Sequence, residues 1–105
     1  MTDSFIDTIT NRLIQRYDPD KIYLFGSYAK GVQTSKSDID ILVIRHSDLP
    51  KHLRGLDIRR TFYSSVTRVD CLFYTPEEVA NELRTPHSFI AVILRSGKVL
   101  YEKKL

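Results

Sequence analysis

Apolar residues along this chain fall into helical and strand rhythms whose alternation sets out its elements. Phe5, Ile6, Ile9, Leu13 and Tyr17 lie on one side of a helix that Ser4 can cap and that ends by Pro19. Lys21–Phe25 is a short run rich in aromatic and β-branched residues, the pattern of a buried strand. Gly26 stops it, and Ser27 opens a short helical stretch, Tyr28-Ala29-Lys30, that Gly31 ends. Over 39–45 the period becomes two: Ile39, Ile41 and Val43 alternate with Asp38, Asp40 and Leu42. A helix is then predicted from about Pro50 to Ser64, with Leu49, Leu53, Leu56, Arg60 and Tyr63 at helical spacing and the aliphatic members read as core. Thr67–Tyr74 returns to strand period, with Val69, Cys71 and Phe73 opposite Arg68, Asp70 and Leu72. Thr75-Pro76-Glu77-Glu78 carries a cap, a proline at the first helical position and a glutamate three residues on. Thr85-Pro86 repeats the cap–proline pair and begins Phe89–Leu94, which Gly97 terminates, and Lys98–Glu102 closes as an edge strand. The order α-β-α-β-α-β-α-α-β predicts an α/β (α+β) fold with a small mixed sheet flanked by helices. Periodicity leaves the strand order open.

Composition narrows the class without choosing a chemistry. A length of 105 residues corresponds to one domain, 1–105, and a hydrophobic fraction of 42% supports an ordinary core. Cys71 is the only cysteine and lies on an apolar face, so it reads as an inert core residue with no intrachain disulfide. The N-terminus has neither a basic region nor a long apolar run, so no signal peptide is expected. No stretch approaches the ~20 apolar residues of a membrane span. A cytoplasmic location is therefore the default. The net charge of +3 is spread along the chain, which reads as a solvated face and not as a dedicated nucleic-acid surface. His46, His52 and His87 lack ligand spacing, so zinc is not expected.

The chemistry concentrates in residues 26–43, where Gly26-Ser27 is followed by Asp38-Ile39-Asp40. Gly26 has no Cβ and lets backbone approach a ligand, and the turn after it offers unpaired N–H groups suited to phosphate. Ser27 adds a hydroxyl, and Lys30 could add charge. Taken alone, Gly-Ser after a strand reads first as a mere turn. The carboxylates change that reading. Asp38 and Asp40 project from one strand face with Cα atoms ~7 Å apart, close enough to converge on a divalent cation. Two ionised carboxylates on such a face repel each other and resist desolvation, which a purely structural role would have to explain. Asp70 sits inside a later strand between apolar neighbours; it can join the pair if the two strands are adjacent, or serve in a salt bridge to Arg68. Three carboxylates suit two-metal catalysis, in which the ions stand ~3.5–4 Å apart.

Residues 22–43 resemble the signature of the DNA polymerase β-like nucleotidyltransferase superfamily: a hydrophobic strand, Gly-Ser, then a Ser-Asp-x-Asp strand, with Asp70 matching the third acidic position. Nearly the whole chain resembles the minimal nucleotidyltransferase (MNT) family, whose members are antitoxins of HEPN/MNT toxin–antitoxin pairs. The resemblance implies the polymerase β-like fold and transfer of AMP from ATP with release of pyrophosphate. It implies two Mg²⁺ ions on Asp38 and Asp40, with Asp70 ligating the catalytic one and lowering the pKa of the attacking hydroxyl. Gly26 and Ser27 would hold the β- and γ-phosphates. The implied acceptor is a tyrosine of a cognate HEPN ribonuclease toxin. Two other readings stand beside it: an antitoxin acting by binding alone, which has no need of three clustered carboxylates, and an antibiotic- or RNA-modifying transferase, which usually carries a further substrate-binding domain.

Overall fold

The computed structural model describes residues 4–63 and 66–104. Helix α1 (Ser4–Tyr17) leads into strand β1 (Lys21–Phe25), the single turn of α2 (Ser27–Lys30) and strand β2 (Ile39–Ile44). Helix α3 (Leu56–Thr61), strand β3 (Val69–Tyr74), helices α4 (Pro76–Glu82) and α5 (Phe89–Ser96) and strand β4 (Lys98–Glu102) complete the chain. The four strands form one mixed sheet in the order β3-β2-β1-β4. β1 runs antiparallel to both β2 and β4, whereas β2 and β3 are parallel. This is the expected small mixed sheet, with β4 at an edge.

Strand alternation sends apolar residues to both faces. One face gathers Ile22, Leu24, Ile39, Ile41, Val43, Cys71 and Phe73 beneath Ile9 and Leu13 of α1 and Ile58 of α3. The other packs Tyr23, Leu42 and Ile44 against Val79 of α4 and Ile90 and Ile93 of α5. β2 is covered on both sides and reads as a nearly continuous apolar run, as a central strand should. Asp40 is its one polar member.

Three local expectations need correction. The helix predicted from Pro50 to Ser64 is broken: a 3₁₀ turn at Lys51–Leu53 gives way to extended Arg54, and Gly55 at φ 74° precedes the six residues of α3. Ser64 lies outside the described residues. Leu49, Leu53 and Leu56 are consequently exposed, and Ile58 is the residue that α3 buries. The break is held by Arg54, whose buried guanidinium donates to Leu49 O, to Phe73 O and to both carboxylate oxygens of Glu78. Helix α5 is capped by Ser88, which accepts from Ala91 N, and not by Thr85, whose carbonyl instead accepts from Ser88 N in the preceding turn. Finally, Asp38 stands one residue ahead of β2 and not within it. The Thr75 capping box forms as predicted: Glu78 N donates to Thr75 Oγ1 and Thr75 N donates to Glu78 Oε1.

Candidate active site

The strand register decides which of the predicted residues meet. β1 ends at Phe25, which lies opposite Asp40. Asp40 in turn lies directly beside Asp70 across the parallel pair. The Gly26–Ser27 turn, Asp40 and Asp70 therefore gather at one end of the sheet, brought there by three successive strands. Ile39 N donates to Arg68 O at 2.8 Å, which fixes the entry to both acidic strands and sets Asp38 next to Arg68. The Arg68 guanidinium is 4.0 Å from Asp38, so the ion pair considered for Asp70 falls to Asp38 instead.

Gly26 is required by its surroundings. It adopts φ 73°, ψ −152°, and a Cβ added there would overlap Asp40 Oδ2 and stand 3.3 Å from Asp40 Cγ. The backbone thus approaches the carboxylate more closely than any side chain permits. Helix α2 begins at Ser27 with no side chain capping it, which leaves its first N–H groups available to an anion. With only four residues, it offers local donors and little macrodipole. Gly31 ends it in the left-handed conformation. Lys30 is exposed on the last turn of α2 and lines neither of the clefts around Asp70.

The electrostatics centre on Asp40. Its carboxyl is held above the usual range, first by burial and then by the negative charges of Asp70 and Asp38. A group so crowded by like charge is stabilised by any cation brought beside it. Among the described residues, no three His, Cys, Asp or Glu side chains are close enough to grip an ion by themselves. Hard divalent cations such as Mg²⁺ typically take one or two carboxylates and complete their shell with water and phosphate oxygens. The donor set fits such an ion in partnership with a substrate. Cys71 behaves differently: burial pushes its thiol up to about 12, so it is a packing residue and no nucleophile.

Two clefts open beside these carboxylates. The first, about 280 Å³, runs from Phe25 past Asp40 and Asp70 to Arg59 and Phe89. Phe25 and Phe89 meet edge to face at 5.7 Å. The second, about 490 Å³, is lined by Arg59, Phe62, Tyr63, Arg68, Val69 and Asp70. Arg59 and Phe89 escaped the sequence reading. Phe89 belongs to an apolar helix yet is 54% exposed, because it follows the Ser88 cap as the first residue of α5 and lines the cleft. No sequence signal marks Arg59, which lines the same clefts as Asp70 because α3 packs on β3.

Comparison with known proteins accords with this architecture. A family model described as polymerase beta, nucleotidyltransferase, matches residues 7–105. Two proteins of Methanocaldococcus jannaschii named as candidate protein adenylyltransferases are similar in sequence. MJ1305 is 28% identical over 98% of this chain and 74% of its own length. MJ0604 is 36% identical over 77% of each. A toxin–antitoxin crystal structure with AMP-PNP superposes with a TM-score of 0.62 at 26% identity, covering 93% of this chain and 74% of that one. A mutant of the MntA–HpeT toxin–antitoxin, 21% identical, shares the fold with a TM-score of 0.62 over 99% of this chain and 76% of its own. The resemblance drawn from Gly26-Ser27 and the aspartates holds in both sequence and fold, and the chain belongs to the polymerase β nucleotidyltransferase family.

Proposed function

We propose that this nucleotidyltransferase is an MNT antitoxin that transfers AMP from ATP to a tyrosine hydroxyl of a cognate HEPN ribonuclease toxin. The observation that carries the reading is the register pairing of Asp40 with Asp70 beside the uncapped Gly26–Ser27 turn. The likeness to proteins named as adenylyltransferases and to a toxin–antitoxin with an ATP analogue supports the choice of nucleotide and partner.

In this reading the free N–H groups after Gly26 and the Ser27 hydroxyl receive the β- and γ-phosphates, with Lys30 adding charge at the edge. Asp38 and Asp40 hold the divalent ions, two Mg²⁺ by family resemblance, with Asp70 as a further ligand; their chemistry when bound is neutralisation of phosphate charge. Asp70 faces the incoming hydroxyl, and the ion it would help to hold would lower the pKa of that hydroxyl. A bond forms between that oxygen and the α-phosphorus, the bond to the bridging oxygen of pyrophosphate breaks, and the hydroxyl proton leaves to solvent. Positioning and electrostatics supply most of the rate, as in other phosphoryl-type transfers.

Intact-mass spectrometry tests it. Co-expressed with the HEPN protein encoded beside it, the chain should add whole AMP units to that partner. The Asp38→Asn, Asp40→Asn, Asp70→Asn triple variant should neither modify the toxin nor protect cells from it. A toxin that stays unmodified yet is neutralised, with the triple variant protecting as well as wild type, would replace the enzyme reading with neutralisation by binding alone.

A further inference from the structure

The helical apolar spacing from Leu49 to Tyr63 leads to no core. Leu56, the first residue of the six-residue α3, is 39% exposed, and Tyr63, two residues past its end, is 90% exposed; the inward face of the helix needs only Ile58. Arg59 and Arg60 stand between them, and neither has an ion-pair partner among the described residues. Leu56, Arg59, Arg60 and Tyr63 together line a concavity of about 340 Å³. Arg59 and Tyr63 continue from it into the larger cleft that holds Arg68 and Asp70. The surface therefore runs unbroken from the outside of α3 to the carboxylate that faces the acceptor. Neither Asp40 nor Gly26 lines it, so nucleotide and acceptor have separate approaches to Asp70.

From this juxtaposition we propose that the outer face of α3 docks the acceptor protein through an acidic segment that carries the modified hydroxyl. The proposal rests on the transferase reading above and adds the place and charge of the docking segment. An exposed tyrosine and leucine beside two unpaired arginines have the composition of a protein-binding hot spot: an apolar anchor inside a charged rim. A nucleic-acid backbone fits less well. Asp70 would face its phosphates at the inner end of the path, and an apolar leucine contributes nothing to phosphate binding. Carboxylates flanking an acceptor tyrosine would meet Arg59 and Arg60 on the way in, which steers the hydroxyl toward Asp70 and speeds encounter at low salt.

Three labelled probes test the surface by fluorescence anisotropy: a tyrosine peptide flanked by Asp and Glu, the same peptide flanked by Lys, and a single-stranded oligoribonucleotide of equal length. Wild type should bind the acidic peptide at least about tenfold more tightly than the lysine peptide, with the gap shrinking at high salt. Arg60→Glu and Tyr63→Ala should each weaken the acidic peptide about tenfold while calorimetric ATP affinity and the thermal midpoint stay near wild type, since both side chains are exposed and outside the first cleft. Equal binding of the two peptides, tighter binding of the RNA, or variants that bind like wild type would overturn the proposal. A wild type that binds the acidic peptide but moves no AMP to its tyrosine would leave the docking surface standing and count against the transferase reading alone.

Discussion

Gly26 and Asp40 constrain each other, and the constraint is a matter of single atoms. A methyl at Gly26 would strike the Asp40 carboxylate, and φ 73° is unfavourable for any L side chain. Gly26→Ala should therefore cost on the order of 1–3 kcal/mol in thermal unfolding and displace Asp40, so transfer should fall further than stability accounts for. Retained transfer would show that Asp40 need not stand where it does. Asp40 also gives a pH signature. Its folded pKa is raised above 3.8 by burial and by Asp70 and Asp38, so its contribution to stability is present below that value and is lost as pH rises through the folded pKa. Asp40→Asn should accordingly be more stable than wild type at neutral pH without divalent cations, with the advantage vanishing in acid. Calorimetric melts across that range decide it, and a variant less stable at neutral pH would contradict the repulsion argument. Ser27 and Asp70 should separate by role. Ser27→Ala removes one donor among several backbone donors and should weaken ATP use moderately, whereas Asp70→Asn should leave ATP binding nearly intact and cut the transfer rate by much more. Single-turnover kinetics in the reverse order would exchange their roles. These residues were legible because their types conflict with their setting: a glycine ends an apolar strand, and carboxylates sit on strands otherwise headed for the core. Phe89 and Arg59 carry no such conflict, since an apolar residue in an apolar helix and an arginine on a surface helix are ordinary.

At the scale of elements, the informative failure is the helix predicted across 50–64. Its apolar spacing is real, but Gly55 takes φ 74°, and a Cβ there would run into the Phe73 ring, so the chain turns where periodicity would carry it straight on. The turn is locked from a distance by Arg54 and Glu78, with Nη1 to Oε1 at 2.7 Å and Nη2 to Oε2 at 3.3 Å. Because Glu78 also caps α4, one carboxylate ties the loop after β2 to the helix after β3. No local pattern could announce a contact spanning 24 residues. The other boundaries were legible because their causes are local: Gly26 and Gly31 bracket α2, and the Thr75-Pro76 pair starts α4. The clamp also makes a pH prediction. The Arg54 guanidinium and the Thr75 amide hold Glu78 down to about 2, against 4.5 for a free glutamate, so the stability it confers is present above 4.5 and is lost as pH falls toward 2. Glu78→Gln should cost on the order of 2 kcal/mol at neutral pH, less than the full linkage value because a third of the Glu78 side chain is exposed to screening. Chemical denaturation at neutral pH and near pH 2 measures this. A cost that persists undiminished in acid would mean that shape, and not charge, makes the clamp.

Across the whole molecule, the sheet order converts residues far apart in sequence into one site, and that order depends on non-local pairing that periodicity cannot specify. β2 lies between β1 and β3, so the Gly26–Ser27 turn, Asp40 and Asp70 stand in a row; any other order would separate them. The arrangement has a thermodynamic consequence for the entire fold. Holding Asp40, Asp70 and Asp38 in mutual proximity costs stability that, on the proposed function, a divalent cation would restore, while the N–H groups of α2 would receive phosphates that carry charge of their own. Cation and nucleotide should therefore stabilise the protein cooperatively, each weakly alone because each leaves the other's partner charges unbalanced. A ligand at 100 times its dissociation constant adds about 2.7 kcal/mol to unfolding, which for a domain near 100 residues raises the thermal midpoint by roughly 10–20 °C. Mg²⁺ or Mn²⁺ together with a non-hydrolysable ATP analogue should produce a shift of that order. The analogue with a chelator, or the cation without nucleotide, should produce much less. In the Asp38→Asn, Asp40→Asn variant the starting midpoint should be higher and the joint shift largely lost. The measurement needs no acceptor, so it isolates the nucleotide half of the reaction from the choice of partner. Equal stabilisation by the analogue with and without divalent cation would remove the metal from the site, leaving the Gly26–Ser27 turn as a phosphate site and the acidic row without its proposed purpose.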